Sequence, residues 1–182
     1  EIVEEKDATE LQKQTSEINS GVYIFAATDL IAALGKISAS NAQQEEYLTD
    51  VIGILKSEGK KVSAFETPDF TEILGINDRS QLSQAGFIMN ARICDALMQS
   101  GVTITDPMST WIDITSEIDI DVTIEPGSAI KGSTKIGRAA VIGPRTTLIN
   151  CEVGAQARVF ESHCESSKIG ESAQVGPYTH LR

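Results

Sequence analysis

The sequence predicts an α/β segment followed by a β-solenoid, and three observations carry that expectation. An aliphatic residue falls at every sixth position from Ile112 to Leu148. Before Gly101, helical spacings alternate with short apolar runs. The charge balance also shifts near Trp111: of the 26 acidic and 15 basic residues in this 182-residue chain, 17 acids and 8 bases lie in 1–111.

The elements of the first part follow in order. Ile2-Val3 reads as a strand, and so does Val22-Tyr23-Ile24-Phe25 after the turn-forming Asn19-Ser20-Gly21. Asp29 to Ile37 carries Leu30, Ile31, Leu34 and Ile37 at helical spacing. Leu48, Val51, Ile52 and Leu55 repeat that spacing, and Gly59 stands where a helix stops. Val62 to Phe65 reads as a third short strand. A longer helix starts at Asp78, with Gln81 at capping-box spacing, and runs through Leu82, Ile88, Ile93 and Leu97 to Gly101. Residues 1–77 hold too few strands for a complete doubly wound sheet. They also lack a glycine-rich phosphate loop, so the expectation is a piece of a larger domain.

The second part is a repeat. The aliphatic positions are Ile112, Ile118, Ile124, Ile130, Ile136, Ile142 and Leu148, with Ser128, Thr134, Ala140 and Thr146 four places after four of them. After a one-residue slip the pattern resumes at Val153 and Val159, then at Ile169, Val175 and Leu181. A period of six suits neither a helix at 3.6 nor an amphipathic strand at 2. It suits short strands joined by tight turns, with one aliphatic pointing inward per strand and small residues at the corners. Three hexads make one coil of a triangular prism, so 112–182 gives about four coils. A bare solenoid used as a spacer satisfies the same pattern; an ice-binding one needs rows of Thr-x-Thr, which are absent.

Composition narrows the partners. A net charge of −11 repels nucleic-acid backbones and anionic membranes. No apolar run reaches spanning length, and no basic start leads into a signal-peptide core. Cys94, Cys151 and Cys164 stand far apart without metal or redox spacing, which suits reduced thiols and a cytoplasmic protein.

Five segments then stand in a recognisable order: I-V-E-E-K-D-A-T at 2–9, E-I-N-S-G-V-Y at 17–23, N-A-Q-Q-E-E-Y-L-T-D at 41–50, G-I-N-D-R-S-Q-L at 75–82 and V-G-P-Y-T-H-L-R at 175–182. With G-V-T-I-T-D-P at 101–107 and the hexads, the whole chain resembles the bacterial bifunctional enzymes of UDP-N-acetylglucosamine synthesis. D-P-M-S-T-W-I-D and N-A-Q-Q-E resemble the actinobacterial branch. The resemblance implies the C-terminal part of a uridylyltransferase (pyrophosphorylase) domain over 1–79, a linker helix over 80–100, and the first coils of a left-handed parallel β-helix acetyltransferase over 101–182. That handedness departs from the usual right-handed crossover. The family implies a homotrimer and a role in peptidoglycan and cell-envelope synthesis.

The implied residue roles follow the motifs. Glu4 matches a glutamate that contacts the sugar nucleotide, and Asn19 an asparagine that hydrogen-bonds the amino-sugar. Tyr47 and Thr49 match the lining of the sugar pocket. Asn77 matches a ligand of the Mg²⁺ cofactor, whose partner aspartate is absent from this chain. Arg182 matches an arginine that binds the sugar phosphate in the acetyltransferase site. Amides and carboxylates read sugar hydroxyls directionally, and a guanidinium offers a phosphate paired donors in one plane. The implied substrates are acetyl-CoA, glucosamine-1-phosphate, N-acetylglucosamine-1-phosphate and UTP, with UDP-N-acetylglucosamine as product. Gln44 and Glu46 stand where other members often have Gly and an aromatic. His163 and His180 match no acetyl-transfer base and read as turn or surface histidines. Two further readings stay open: another sugar-1-phosphate nucleotidyltransferase with a regulatory β-helix, and a non-catalytic trimerisation solenoid.

Overall fold

The computed structural model describes every residue except Glu1 and Ala42. The chain divides into two compact units, Glu1–Leu74 and Gly75–Arg182.

In the first unit, two short helices pack together: α1 (Ala27–Leu34) and α2 (Asp50–Ser57). Their shared core is Ala33, Val51 and Leu55, with Phe25, Leu30, Ile37 and Ile54 packed around it. Of the residues at the expected helical spacing, Leu30, Ile37, Val51 and Leu55 join this core, while Ile31, Leu34 and Leu48 are exposed, so the shared stripe is narrower than the spacing suggests. Helix α2 stops as expected, with the Gly59 and Lys60 amides donating back to the Lys56 and Leu55 carbonyls. Lys60 Nζ lies 2.8 Å from Asp29 Oδ1, and Lys36 pairs with Glu58, so both ends of α1 are tied by charge to the segment that ends α2.

The three expected strands of this unit are not strands in the structure. No ladder joins Ile2-Val3, Val22–Phe25 or Val62–Phe65 to another segment. Val22, Ile24 and Phe65 are 77%, 100% and 91% exposed, so their apolar alternation faces solvent. Apolar, β-prone residues favour a sheet surface, yet a strand exists only where a second strand takes its amides and carbonyls. No such partner is found among the described residues of this unit.

The second unit opens with α3 (Arg79–Gln99). Asp78 Oδ1 accepts from the Gln81 amide at 2.8 Å, the cap that the sequence predicts. Gln81 reaches back one residue further than a standard box, its Oε1 accepting from the Asn77 amide at 2.6 Å. At the other end Gly101 has φ +102°, a left-handed turn that a side chain disfavours, and the Val102 amide donates to the Leu97 carbonyl. The chain leaves this turn as the first strand of the solenoid.

The coils run in series. The first holds β1 (Thr103–Ile104), β2 (Trp111–Ile112) and β3 (Glu117–Ile118). The second holds β4 (Thr123–Ile124), β5 (Ala129–Lys131) and β6 (Lys135–Ile136). The third holds β7 (Val141–Ile142), β8 (Thr147–Ile149) and β9 (Glu152–Val153). The fourth holds β10 (Arg158–Val159), β11 (His163–Glu165) and β12 (Lys168–Ile169), and β13 (Gln174–Val175) and β14 (His180–Leu181) follow. Every third strand joins the same sheet, all pairings are parallel, and the result is a three-sided solenoid of about five turns, consistent with a left-handed β-helix. It begins one strand earlier than the hexads suggest, because β1 precedes Ile112 on β2.

Burial follows the period of six. Ile112, Ile124, Ile130, Ile136, Ile142 and Leu148 are each at most 2% exposed, and stack along the axis. The slip is visible in the register: Thr123 faces Val141, Val141 faces Arg158, and Arg158 faces Gln174, so successive coils shorten by one residue. At the corners Ser128, Thr134, Thr146 and Ser162 are buried, and each hydroxyl donates to a nearby turn carbonyl, those of Glu125, Lys131, Pro144 and Phe160. A small hydroxyl is the residue that both fits and satisfies such a corner.

Helix α3 is fastened to the first coil by one side chain. Asn90 is 5% exposed; its Nδ2 donates to the Thr110 carbonyl at 2.8 Å and its Oδ1 accepts from the Ile112 amide at 3.0 Å. The amide thus takes the place of a neighbouring strand along β2, the outermost strand of its sheet.

Candidate functional site

Four of the sequence-predicted residues lie in the first unit. Glu4 and Tyr47 are half-buried, and the charges of Asp7, Glu45 and Glu4 act on Tyr47. The Tyr47 phenol is pushed up, first by desolvation and then by those carboxylates, against a lowering hydrogen bond from Gln43. Gln43 links the group: its Nε2 donates to Tyr47 Oη at 2.6 Å, and its Oε1 accepts from Lys6 Nζ at 2.6 Å. The neutral phenol therefore remains both a donor and an acceptor at neutral pH. Thr49 is half-buried at the start of α2, its hydroxyl making no cap bond. Gln44, where a glycine is common in the resembling family, has φ +56°, the left-handed region in which glycine is unstrained.

Asn19 is exposed and held in shape by its own turn. Its Oδ1 accepts from the Gly21 amide at 3.2 Å, and its Nδ2 donates to Tyr23 Oη at 2.6 Å. Tyr23 in turn stacks on Phe25, with ring centroids 5.6 Å apart. The Glu4 charge is felt at Tyr47, and Asn19 is fixed by its own turn.

Asn77 and Arg182 lie in the second unit. Asn77 is exposed, its backbone pinned by Gln81 at the entry to α3. It offers one amide oxygen, and among the described residues no group of three or more acidic, histidine or cysteine ligands includes it or its neighbours. Mg²⁺ takes six oxygens in a near-octahedral shell. The residues of this chain therefore do not fit a Mg²⁺ site by themselves.

Arg182 follows β14, whose Leu181 is the rung partner of Cys164. Its charge acts on Glu165, the carboxylate next to Cys164. His163 and His180 are not in turns: they are rung partners on β11 and β14, and the His163 ring nitrogen sits 2.7 Å from Glu165 Oε1. This contact is the first cause holding the Glu165 carboxyl below its ordinary value. Sequence spacing hides the group, because two of its members are seventeen residues apart and meet only through the coil.

The sheet formed by β3, β6, β9 and β12 carries a trough of about 370 Å³ in which two rungs pair opposite charges. Lys135 Nζ is 3.0 Å from Glu117 and Lys168 Nζ is 2.9 Å from Glu152. The Glu152 carboxyl is held below 4.5, first by the hydrogen bond from Lys168, and the Lys168 ammonium is raised above 10.5 by the same bond. The carboxylate's contribution to stability is present above its unfolded value and lost as pH falls through the lowered one. The ammonium's is present below its unfolded value and lost as pH rises through the raised one. An NMR titration of the Glu152 carboxyl is expected to give a midpoint below 4.5 that returns upward in Lys168→Met. An unchanged midpoint in the variant would contradict the pairing.

Cys94, Cys151 and Cys164 are free and buried, and burial raises the Cys94 and Cys164 thiols, as expected of packing residues. No helix is long and apolar enough to cross a membrane among the described residues.

Comparison with known proteins places the chain. No family model matches it. Over 181 residues it is 49% identical to the bifunctional protein GlmU of Corynebacterium efficiens, 48% to that of Mycobacterium ulcerans and 45% to that of Streptomyces avermitilis. Each alignment covers 100% of this chain and 37% to 38% of the relative, so the chain spans well under half the length of the curated relatives it matches. Identity at this level across both units, with the solenoid expected from the hexads, makes the chain similar along its full length to part of the bifunctional GlmU proteins.

Proposed function

We propose that this chain is a segment of a bifunctional transferase that makes UDP-N-acetylglucosamine, working in a cytoplasmic homotrimer that supplies cell-wall synthesis. The observation that carries the reading is the 45% to 49% identity to GlmU proteins over the whole chain, which spans both units rather than the solenoid alone. In the first reaction the amine of glucosamine-1-phosphate attacks the acetyl-CoA thioester, loses a proton to a general base, and the C–S bond breaks as the coenzyme A thiol departs. In the second the phosphate oxygen of N-acetylglucosamine-1-phosphate attacks the α-phosphorus of UTP and pyrophosphate departs.

The chain's own residues bind and orient. Glu4, Tyr47 and Thr49 line the sugar of the nucleotide product, and Asn19 bonds its acetamido group. Asn77 would offer one amide oxygen as a ligand for Mg²⁺. Arg182 holds the phosphate of glucosamine-1-phosphate on the solenoid. The pre-set turn of Asn19 and the Gln43 bond to Tyr47 support these roles, because a group already oriented loses little freedom on binding.

The test is an assay of the longer protein that contains this chain. Thiol release from acetyl-CoA with glucosamine-1-phosphate, and pyrophosphate release from UTP with N-acetylglucosamine-1-phosphate, are both expected. The 182-residue chain alone is expected to turn over neither substrate pair. Uridylyl transfer without acetyl transfer would indicate a nucleotidyltransferase with a regulatory solenoid. Neither activity in the longer protein would indicate a trimerisation solenoid.

A further inference from the structure

We propose that His163, Glu165 and His180 form a binding site for a divalent transition-metal ion of borderline softness, such as Zn²⁺, Co²⁺ or Ni²⁺. The ladder creates the site. His163 on β11 and His180 on β14 are parallel rung partners, so their side chains leave the same face one coil apart. Their rings meet edge to face, with centroids 5.1 Å apart at 87°. Glu165 lies two residues beyond His163 and therefore on the same face, its Oε1 2.7 Å from His163 Nε2. One ligand atom from each of the three lies within 4.8 Å of the others.

Tetrahedral zinc with bonds of about 2.0–2.1 Å sets its ligand atoms roughly 3.3 Å apart. Closing the triad on an ion thus asks for side-chain rotations of about an ångström, while the parallel ladder keeps both backbones in place. The His163 and Glu165 side chains are 42% and 47% exposed, which leaves the rotamers free to adjust and gives the ion an open path. Two imidazoles and one carboxylate favour zinc, cobalt or nickel over Mg²⁺ or Ca²⁺, whose shells are built from oxygen. The site is therefore independent of the Mg²⁺ chemistry of the proposed nucleotide reaction. Three protein ligands leave a fourth position to water, and the bound ion ties β11 to β14 across the gap between coils.

Co²⁺ titration of the 182-residue chain, followed by its visible d–d absorption, tests the site. One Co²⁺ per chain is expected, with intensities of a nitrogen–oxygen shell, and Zn²⁺ is expected to displace it and raise Tm. His180→Gln and Glu165→Gln replace exposed or half-exposed side chains, and far-UV circular dichroism checks that each remains folded. Each is expected to weaken Co²⁺ binding at least about tenfold, and His163→Gln/His180→Gln to remove the zinc-dependent rise in Tm. Absence of d–d bands, undiminished binding in the double variant, or equal competition by Mg²⁺ would each overturn the proposal. A thiolate charge-transfer band would also overturn it, by placing the ion on cysteine.

Discussion

Leu148→Asp is expected to unfold the solenoid at neutral pH. Leu148 is fully buried on β8, which pairs with β5 on one side and β11 on the other, so the side chain sits mid-axis with a stacked residue on both sides. A carboxylate there has no cation within the aliphatic stack around it. Burying an unpaired ion costs several kcal/mol after relaxation, comparable with the ~5–15 kcal/mol stability of a typical domain. Leu148→Ala is the graded version: it removes the transfer energy of the side chain and leaves a cavity, for a loss of about 2–5 kcal/mol. Urea melts read by circular dichroism check both, with Trp111 fluorescence reporting the first coil separately. A stable Leu148→Asp chain would mean that the stack is not the core.

Asn90→Leu is expected to cost about 2–5 kcal/mol despite near-constant volume and a gain in apolar surface. The variant strips partners from two buried backbone groups, the Thr110 carbonyl and the Ile112 amide. Each orphaned group costs about 1–3 kcal/mol, well above the net value of a hydrogen bond that is merely exchanged for water. Asn90→Asp keeps an acceptor for Ile112 but loses the donor to Thr110 and buries a charge, so it is expected to be no better. Denaturant midpoints rank the three proteins, and a leucine variant within 0.5 kcal/mol of the parent would show that the β2 edge finds other partners.

These two residues mark what the sequence makes legible. Leu148 belongs to a period of six that no other common element produces, and local spacing alone assigns it inward. Ser128, Thr134, Ala140 and Thr146 were legible for the same reason, as small residues in register with corners; all four are buried. The pattern fades between Val159 and Ile169 because Cys164 takes the inward position there, stacked between Leu148 and Leu181, and a cysteine breaks an aliphatic count. Asn90 is not legible. A polar residue among Ile88, Ile93 and Leu97 reads as helix surface, and only the edge of β2, more than twenty residues on, gives its amide a purpose.

The strand-like runs of the first unit failed for a related reason. Val22–Phe25 and Val62–Phe65 have strand composition, but pairing is a property of two segments, and no described segment of the unit pairs with them. The proposed binding residues divide the same way. Asn19 and Tyr47 were found by motif, and the structure adds the Tyr23 and Gln43 bonds that hold them. The His163–Glu165–His180 group had no linear signal, since its histidines meet only once a coil has closed.

The central proposal is that the chain contributes to two different binding sites, a sugar-nucleotide site with Asn19 and a sugar-phosphate site with Arg182. The most direct measurement is a pair of single variants in the longer protein, each assayed for both transfers. Arg182→Ala is expected to raise KM for glucosamine-1-phosphate in acetyl transfer by about tenfold to a hundredfold, the loss of one charge-assisted bidentate contact, and to leave uridylyl transfer unchanged. Asn19→Ala is expected to do the reverse, weakening uridylyl transfer about tenfold while acetyl transfer keeps its parent rate. Variants that impair both reactions together, or neither, would contradict the account.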